Sequence, residues 1–275
     1  MVPVVSLAAM AFTLLLCFAL PVILFVLVRR KSKYATGAII AGAVAFYIAQ
    51  PLVRIPLLQV VLPNFAWFHE LTEQPLLYIL FLSLTAALFE ETARLGVFRL
   101  LLRSRLSWLT GVAYGVGHGG IEAMLLVGVT YINNIVLSVM INNGTFHTFV
   151  ASRVGAATAN HIYTALTATS PGLFLAAGLE RALVIVIQIA LSVMILEGIV
   201  RKQVLPFYVL TFAAHAGINF AAAYMSYLGV HYWLVELFIA GCAVAGYLYV
   251  MNARSRFPGT EEPGDDAEKA LAEGY

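Results

Sequence analysis

Charged residues are scarce in this chain: lysine, arginine, aspartate and glutamate together make up 11% of its 275 positions. A soluble domain usually carries about 25%. Hydrophobic residues reach 61%, and the mean hydropathy is +0.90. This balance excludes an ordinary soluble domain and predicts several segments buried in lipid. The chain also lacks a basic patch with interleaved aromatic residues, so we expect no nucleic acid partner.

Several catalytic signatures are missing as well. The two cysteines, Cys17 and Cys242, lie in separate apolar runs with no CxxC spacing and no histidine nearby. This excludes a disulfide framework and argues against a thiol nucleophile. No GxSxG sequence marks a serine nucleophile, and no HExxH sequence marks a local zinc site.

What the chain has instead is long apolar runs. A membrane-spanning helix needs roughly 20 mostly apolar residues, and seven stretches qualify: 4–28, 36–62, 75–100, 108–140, 171–199, 204–228 and 232–252. We predict an all-α integral membrane protein, a polytopic bundle of about seven transmembrane helices. The fourth stretch is long and is expected to be tilted, or broken near residues 131–134. The polar segment 141–170 leaves open an eighth element, interfacial or re-entrant.

Basic residues orient these spans, because cytoplasmic loops carry an excess of lysine and arginine. They follow the first, third, fifth and seventh spans: Arg29, Arg30, Lys31, Lys33, Arg99, Arg103, Arg105, Arg201, Lys202, Arg254 and Arg256. The loops of the other side hold only Arg153. We predict a multi-pass protein of the plasma membrane with its N-terminus outside. Residues 1–256 form the membrane domain, with a catalytic core at about 75–228, and 257–275 form an acidic, disordered cytosolic tail.

Polar side chains inside four spans are the candidate functional residues, because ionisable groups in the membrane are costly and usually functional. The third span holds Glu90, Glu91 and Arg94, the fourth His118 and Glu122, the fifth Glu180, Arg181 and Gln188, and the sixth His215 and Asn219. Residues four apart share one helical face, so each span presents one polar stripe. Four such stripes are expected to face one another or a water-filled cavity.

Depth supports this convergence. A helix rises about 1.5 Å per residue, which places Glu90, His118 and His215 at roughly 13–17 Å from the predicted cytosolic ends of their spans. Gln188 falls near the same level. Glu180 lies nearer the outer face, where Arg54 or Arg181 could neutralise it, and we expect it to be structural. Glycines 117, 119 and 120 flank His118 and either admit close helix packing or leave room for a substrate backbone.

Such a cluster could hydrolyse a peptide bond. The reaction needs an activated water and donors for the oxyanion. Glu90 or Glu91 can serve as the general base, with His118 holding the water. The remaining assignments are as follows: His215 and Asn219 donate to the oxyanion, Arg94 orients one glutamate, and Glu122 orients His118. Alternatively, His118, His215 and a glutamate such as Glu90 could bind zinc or another divalent metal. Residue types alone leave both routes open.

The motifs resemble a known superfamily. The paired glutamates with a following Arg94, the spacing from Tyr114 to His118 and the spacing from His215 to Asn219 resemble the CAAX prenyl protease and bacteriocin-processing superfamily. The strings GHGGIEA and GLERALVIVIQIALS resemble its YhfC branch. The resemblance spans about residues 75–228. Gln188 stands where the YhfC pattern has histidine, and Asn219 where aspartate is common.

This resemblance implies a membrane-embedded endopeptidase, and the YhfC branch is usually described as a metalloprotease. It implies Glu90 and His118 as the water-activating pair, with His215 and Asn219 at the oxyanion or the metal. The expected partners are membrane lipids and a membrane-associated protein or peptide substrate, reached through a cavity open to the cytosolic side. Two other functions stay open: a transporter or proton relay, and an inactive scaffold or immunity protein of the same fold.

Overall fold

A computed structural model describes residues 1–257, and these are helical without any strand. Apart from Phe257, the predicted tail lies outside the described residues. The α-helices are α1 Val4–Arg29, α2 Ala35–Tyr47, α3 Ala66–Thr72, α4 Pro75–Leu100, α5 Trp108–Glu122, α6 Val129–Asn142, α7 Phe146–Val154, α8 Ala156–Ala168, α9 Pro171–Val200, α10 Val204–Tyr227 and α11 Tyr232–Ala253.

Seven helical segments within residues 1–257 are long and apolar enough to cross a membrane, which confirms the predicted fold class. They are Val4–Arg29, Ala35–Asn64, Pro75–Leu100, Trp108–Asn142, Pro171–Val200, Val204–Tyr227 and Tyr232–Arg256. Local sequence explains several starts. Pro75 and Pro171 occupy the first helical position, where a missing N–H costs nothing. Ser107 caps α5 by accepting a hydrogen bond from the Thr110 N–H at 3.2 Å.

The polar segment 141–170 does not form a further span. It contains the two short helices α7 and α8, which meet at Gly155. That glycine has φ of 82°, a conformation that other residues rarely adopt. Each helix is shorter than the 18–20 residues needed to cross the membrane. The segment therefore adds no eighth spanning helix, and an interfacial or re-entrant position for its short helices stays a prediction.

The fourth span is irregular at a different place from the one predicted. Residues 131–134 lie inside the regular helix α6, and the irregularity is a π-helical segment, Ala123–Gly128. Asn133 is exposed and Asn134 is half-buried, and the helix continues through both residues. The second span has its own π-helical segment, Ile48–Arg54, which contains Pro51. Proline removes one backbone donor, and π-helical turns are frequent at functional sites.

Helix α9 is the centre of the bundle and packs against α1, α4, α5, α10 and α11. Its neighbour α5 approaches closely through glycine. A Cβ at Gly119 would lie 3.0 Å from the Ile185 Cα of α9, and one at Gly117 would strike the Ile39 backbone of α2. Gly120 likewise abuts Pro21 of α1. The glycines beside His118 therefore serve helix packing. Gly117 and Gly120 also line a second cavity of about 200 Å³, and room for a substrate backbone stays a prediction.

The ends of the bundle differ in charge and in packing. We call the side with Arg29, Arg99, Arg201 and Arg254 the basic side, and the other the opposite side. Near the basic side lies a hydrophobic cluster composed of Ala45, Phe98, Tyr114, Ala190, Val193, Ile195, Leu196, Val250, Ala253 and Phe257. The Trp108 indole N–H donates to the Val250 carbonyl at 2.8 Å across the same region. The bundle is thus tightly filled on its basic side.

Candidate active site

Glu90 of α4 stands at the centre of the intramembrane polar residues. It is 4% exposed. Its Oε2 atom lies 2.9 Å from Nε2 of the fully buried His118 on α5. Its Oε1 atom accepts a hydrogen bond of 2.5 Å from the Gln50 amide, which belongs to the π-helical part of the second span. Three spans thus converge on one carboxylate.

Glu91 forms a separate contact set with the helix α10. Arg94, one turn further along α4, donates to Glu91 Oε1. The same oxygen lies 2.7 Å from Nδ1 of His215. Neither Glu91 nor Arg94 is exposed. Arg94 was expected to orient one of the two glutamates, and that glutamate is Glu91. Glu90 instead faces His118 and His215.

Gln188 of α9 connects these sets. Its Nε2 donates to Glu90 Oε2 at 3.2 Å and to Glu122 Oε2 at 2.9 Å, while its Oε1 accepts from Arg94. The two ends of an amide differ chemically. Because Arg94 occupies the oxygen end, the nitrogen end must face the two carboxylates.

Glu122 does not orient His118, which corrects that expectation. Its carboxylate accepts from Arg181 at 3.0 Å and from Gln188. The His118 Nδ1 atom is buried and has no hydrogen-bond partner within the described residues. The reason is that Arg181 reaches Glu122 from α9 and holds it away from that ring nitrogen. Arg181 also pairs with Glu180.

His215 and Asn219 lie on the wall of the same cavity, on α10. With Nδ1 turned to Glu91, the His215 ring directs Nε2 toward Glu90, 3.8 Å from Oε2. Asn219 follows one helical turn toward the opposite side. Both residues therefore border the space next to Glu90, as their spacing predicted.

The cavity has a volume of about 300 Å³ and extends in one direction. Its deepest residues are Glu90, Gln188 and His215, and its wall continues to Glu180 on α9 and Ala222 on α10. Both continuations run toward the opposite side. The cavity was expected to open toward the basic ends, predicted to be cytosolic, but its lining extends from Glu90 toward the opposite side. Which side faces the cytosol stays a prediction. The hydrophobic cluster around Phe98 and Leu196 fills that half. Glu180, expected to lie apart from the site, lines the cavity.

The candidate metal ligands include Glu122 in place of the expected His215. Ligand atoms of Glu90, His118 and Glu122 all lie within 4.8 Å of one another, and all three residues are buried. His215 was expected as a ligand but is not one of these three residues; its Nδ1 contacts Glu91 and its Nε2 lies 3.8 Å from Glu90 Oε2. Oxygen and imidazole nitrogen are ligand types that zinc accepts, and each Glu122 oxygen retains a free lone pair. The donor set present thus fits a divalent cation.

Sequence reasoning missed two residues of the second span. Gln50 touches Glu90, and Arg54 supports Gln50 by donating to its Oε1 atom at 3.0 Å. Arg54 also donates to the Thr85 hydroxyl at 3.1 Å and to the Leu82 carbonyl at 2.7 Å. Their spacing of four residues inside an apolar run is the signal that could have found them. Either Arg54 or Arg181 was expected to neutralise Glu180, and the structure pairs Glu180 with Arg181.

Glu197, also missed, binds Arg201 at 2.9 Å, Arg256 at 2.7 Å and the Tyr249 hydroxyl at 2.7 Å. These contacts tie the basic-side end of α9 to that of α11, away from the cavity. They are a structural connection between two spans.

Comparison with known proteins gives two matches. A family model described as YhfC intramembrane metalloprotease matches residues 16–239. The uncharacterized membrane protein YhfC of Bacillus subtilis (strain 168) is 29% identical over 243 residues, covering 88% of this chain and 94% of the relative. No solved structure matches.

Proposed function

The chain belongs to the YhfC intramembrane metalloprotease family, and on this premise we propose that it is an intramembrane endopeptidase acting on membrane-associated proteins or peptides. The observation that carries the proposal is the buried pair of Glu90 and His118, in which Glu90 lines the inner end of a cavity inside the span region and His118 lies directly behind it. A carboxylate and an imidazole at 2.9 Å form an acid–base pair able to take a proton from water and to return it to a leaving amine.

The residues around this pair have complementary roles. Glu90 accepts the proton of the attacking water, and the Gln50 and Gln188 amides hold its carboxylate in place. His118 steadies the carboxylate from the side of α5. A protonated His215 donates from Nε2, together with the Asn219 amide, to the oxyanion that forms at the scissile carbonyl. Glu91 and Arg94 fix the ring of His215 for this purpose.

The same site has donors for a divalent metal, in agreement with the family description. Glu90, His118 and Glu122 would hold the ion. When bound, such an ion polarises the scissile carbonyl and makes a coordinated water easier to deprotonate. Gln188 and Arg181 would then fix the orientation of Glu122, as partners behind a metal ligand commonly do.

The experiment is cleavage by the purified protein reconstituted in liposomes. The probe is a detergent extract of membrane proteins from cells that lack this chain, and the readout is new protein N-termini identified by mass spectrometry. Glu90→Gln and His118→Ala should each lower the rate of their appearance by about 10²–10⁴-fold. Glu70→Gln changes an exposed glutamate of α3 and is the matched control.

Elution as a single species in size-exclusion chromatography and an unchanged melting temperature establish that each variant is folded. Full cleavage by folded Glu90→Gln and His118→Ala proteins would refute the assignment of these two residues. A wild-type protein that generates no new N-termini would refute the peptidase itself.

A further inference from the structure

The direction of the cavity carries information about the substrate. On α9 the wall runs from Gln188 to Glu180, and on α10 from His215 to Ala222. At about 1.5 Å per residue these runs are roughly 10–12 Å long. Both lead from Glu90 toward the opposite side. The cavity is thus a passage of some depth with the carboxylate at its inner end.

The cavity lining does not continue from Glu90 toward the basic side. Phe98, Tyr114 and Leu196 are completely buried in the hydrophobic cluster on that side. Beyond them, Glu197 is 1% exposed and holds Arg256 and Tyr249. Packed interiors leave few voids larger than a water molecule. A peptide approaching Glu90 through this cluster would have to displace its packed side chains.

The charge distribution identifies the two sides. Arginines and lysines are concentrated at the basic ends of the spans, and the connections at the other ends contain only Arg153. An excess of lysine and arginine is typical of cytoplasmic loops. The closed side is therefore the one expected to face the cytoplasm, and the cavity extends toward the other compartment.

We infer that substrates enter from the non-cytoplasmic side, and that they are exported or membrane proteins whose scissile segment lies in, or just beyond, the outer half of the membrane. This inference rests on the proposed peptidase function. An extended chain advances about 3.3 Å per residue, so a passage of this depth holds roughly three to four residues of unwound substrate. A substrate that stays helical in this stretch is about twice as wide as an extended strand and should be rejected.

Thiol labelling from either side of the membrane tests the direction. Cys17 and Cys242 are first replaced by alanine. Ala222→Cys and Val184→Cys then place a single thiol on the cavity wall, on α10 and α9 respectively. The reagent is MTSET, a membrane-impermeant cationic methanethiosulfonate, applied to right-side-out and inside-out vesicles. Ser255→Cys, exposed at the basic side, is the control for the cytoplasmic surface.

We expect both cavity thiols to react in right-side-out vesicles and the Ser255→Cys thiol to react only in inside-out vesicles. Modification of the cavity thiols should also abolish cleavage. Reaction of the cavity thiols only in inside-out vesicles would overturn the inference. Because labelling requires no proteolysis, the side of access is measured even if the wild-type protein cleaves nothing, an outcome that would refute the proposed function alone.

Discussion

Substitution of Gly117 by alanine is the sharpest test of how the helix bearing His118 is held. A Cβ at this position would lie 2.6 Å from the carbonyl carbon of Ile39 and 2.9 Å from its Cα, and closer still to the carbonyl oxygen. Carbon atoms in contact need about 3.5–4.0 Å. Because the obstacle is backbone, it cannot rotate away. Helices α5 and α2 must therefore separate by roughly 1 Å.

The expected magnitude follows from two opposing effects. Overpacking of a close-packed interior costs about 1–3 kcal/mol. Replacing glycine by alanine within a helix returns up to about 1 kcal/mol. We expect a net loss of about 1–2 kcal/mol, which for a chain of this size lowers the melting temperature by about 2–8 °C. Because His118 is the adjacent residue, its displacement should also reduce cleavage by about 10²-fold.

The assay is thermal unfolding of the detergent-purified protein, followed by intrinsic fluorescence, together with the cleavage assay in liposomes. The matched control is Gly241→Ala on α11, where an added Cβ meets nothing within 4 Å. This variant should melt at or slightly above the wild-type temperature. If Gly117→Ala behaved like Gly241→Ala in both assays, the close contact between α5 and α2 would not be what positions His118.

Three further changes test other parts of the structure. Gln50→Leu removes a buried donor from Glu90, and loss of such a supporting hydrogen bond should lower the cleavage rate by about 10–100-fold; an unchanged rate in the reconstituted assay would contradict the role of the second span. Tyr249→Phe removes a hydrogen bond to a carboxylate and should cost about 1.5–3 kcal/mol in thermal unfolding, whereas Tyr247→Phe, exposed on the same helix, should cost nothing measurable. Glu122→Gln should lower the divalent metal content measured by inductively coupled plasma mass spectrometry, and an equal metal content in wild type and variant would exclude Glu122 as a ligand.

The spans and their polar stripes could be predicted because the membrane imposes strong constraints. The bilayer fixes a length of about 20 apolar residues, and helical geometry fixes which polar residues share a face. These two constraints placed Glu90, His118 and His215 at one level. The structure brings these three residues together across three different helices.

The pairings within the site could not be predicted, because they depend on how the helices are rotated against one another. Glu122 contacts Arg181 and not His118, and Gln50 belongs to a span that had supplied no candidate. The direction in which the cavity extends could not be predicted from the sequence either. It depends on which half of the bundle is filled by side chains such as Phe98, and apolar residues occur in both halves of every span.

The sparse packing of α10 has a mechanical consequence for the two histidines. His118 sits on a helix whose glycines leave no clearance from α2 and α9, so its ring belongs to a stiff wall. His215 sits on α10, where Thr211, His215 and Ala216 are the buried residues. A helix with few buried contacts opens at low free-energy cost. We therefore expect the wall that carries His118 to be rigid and the wall formed by α10 to be the more easily displaced, so that widening of the site would move His215 while His118 stays beside Glu90.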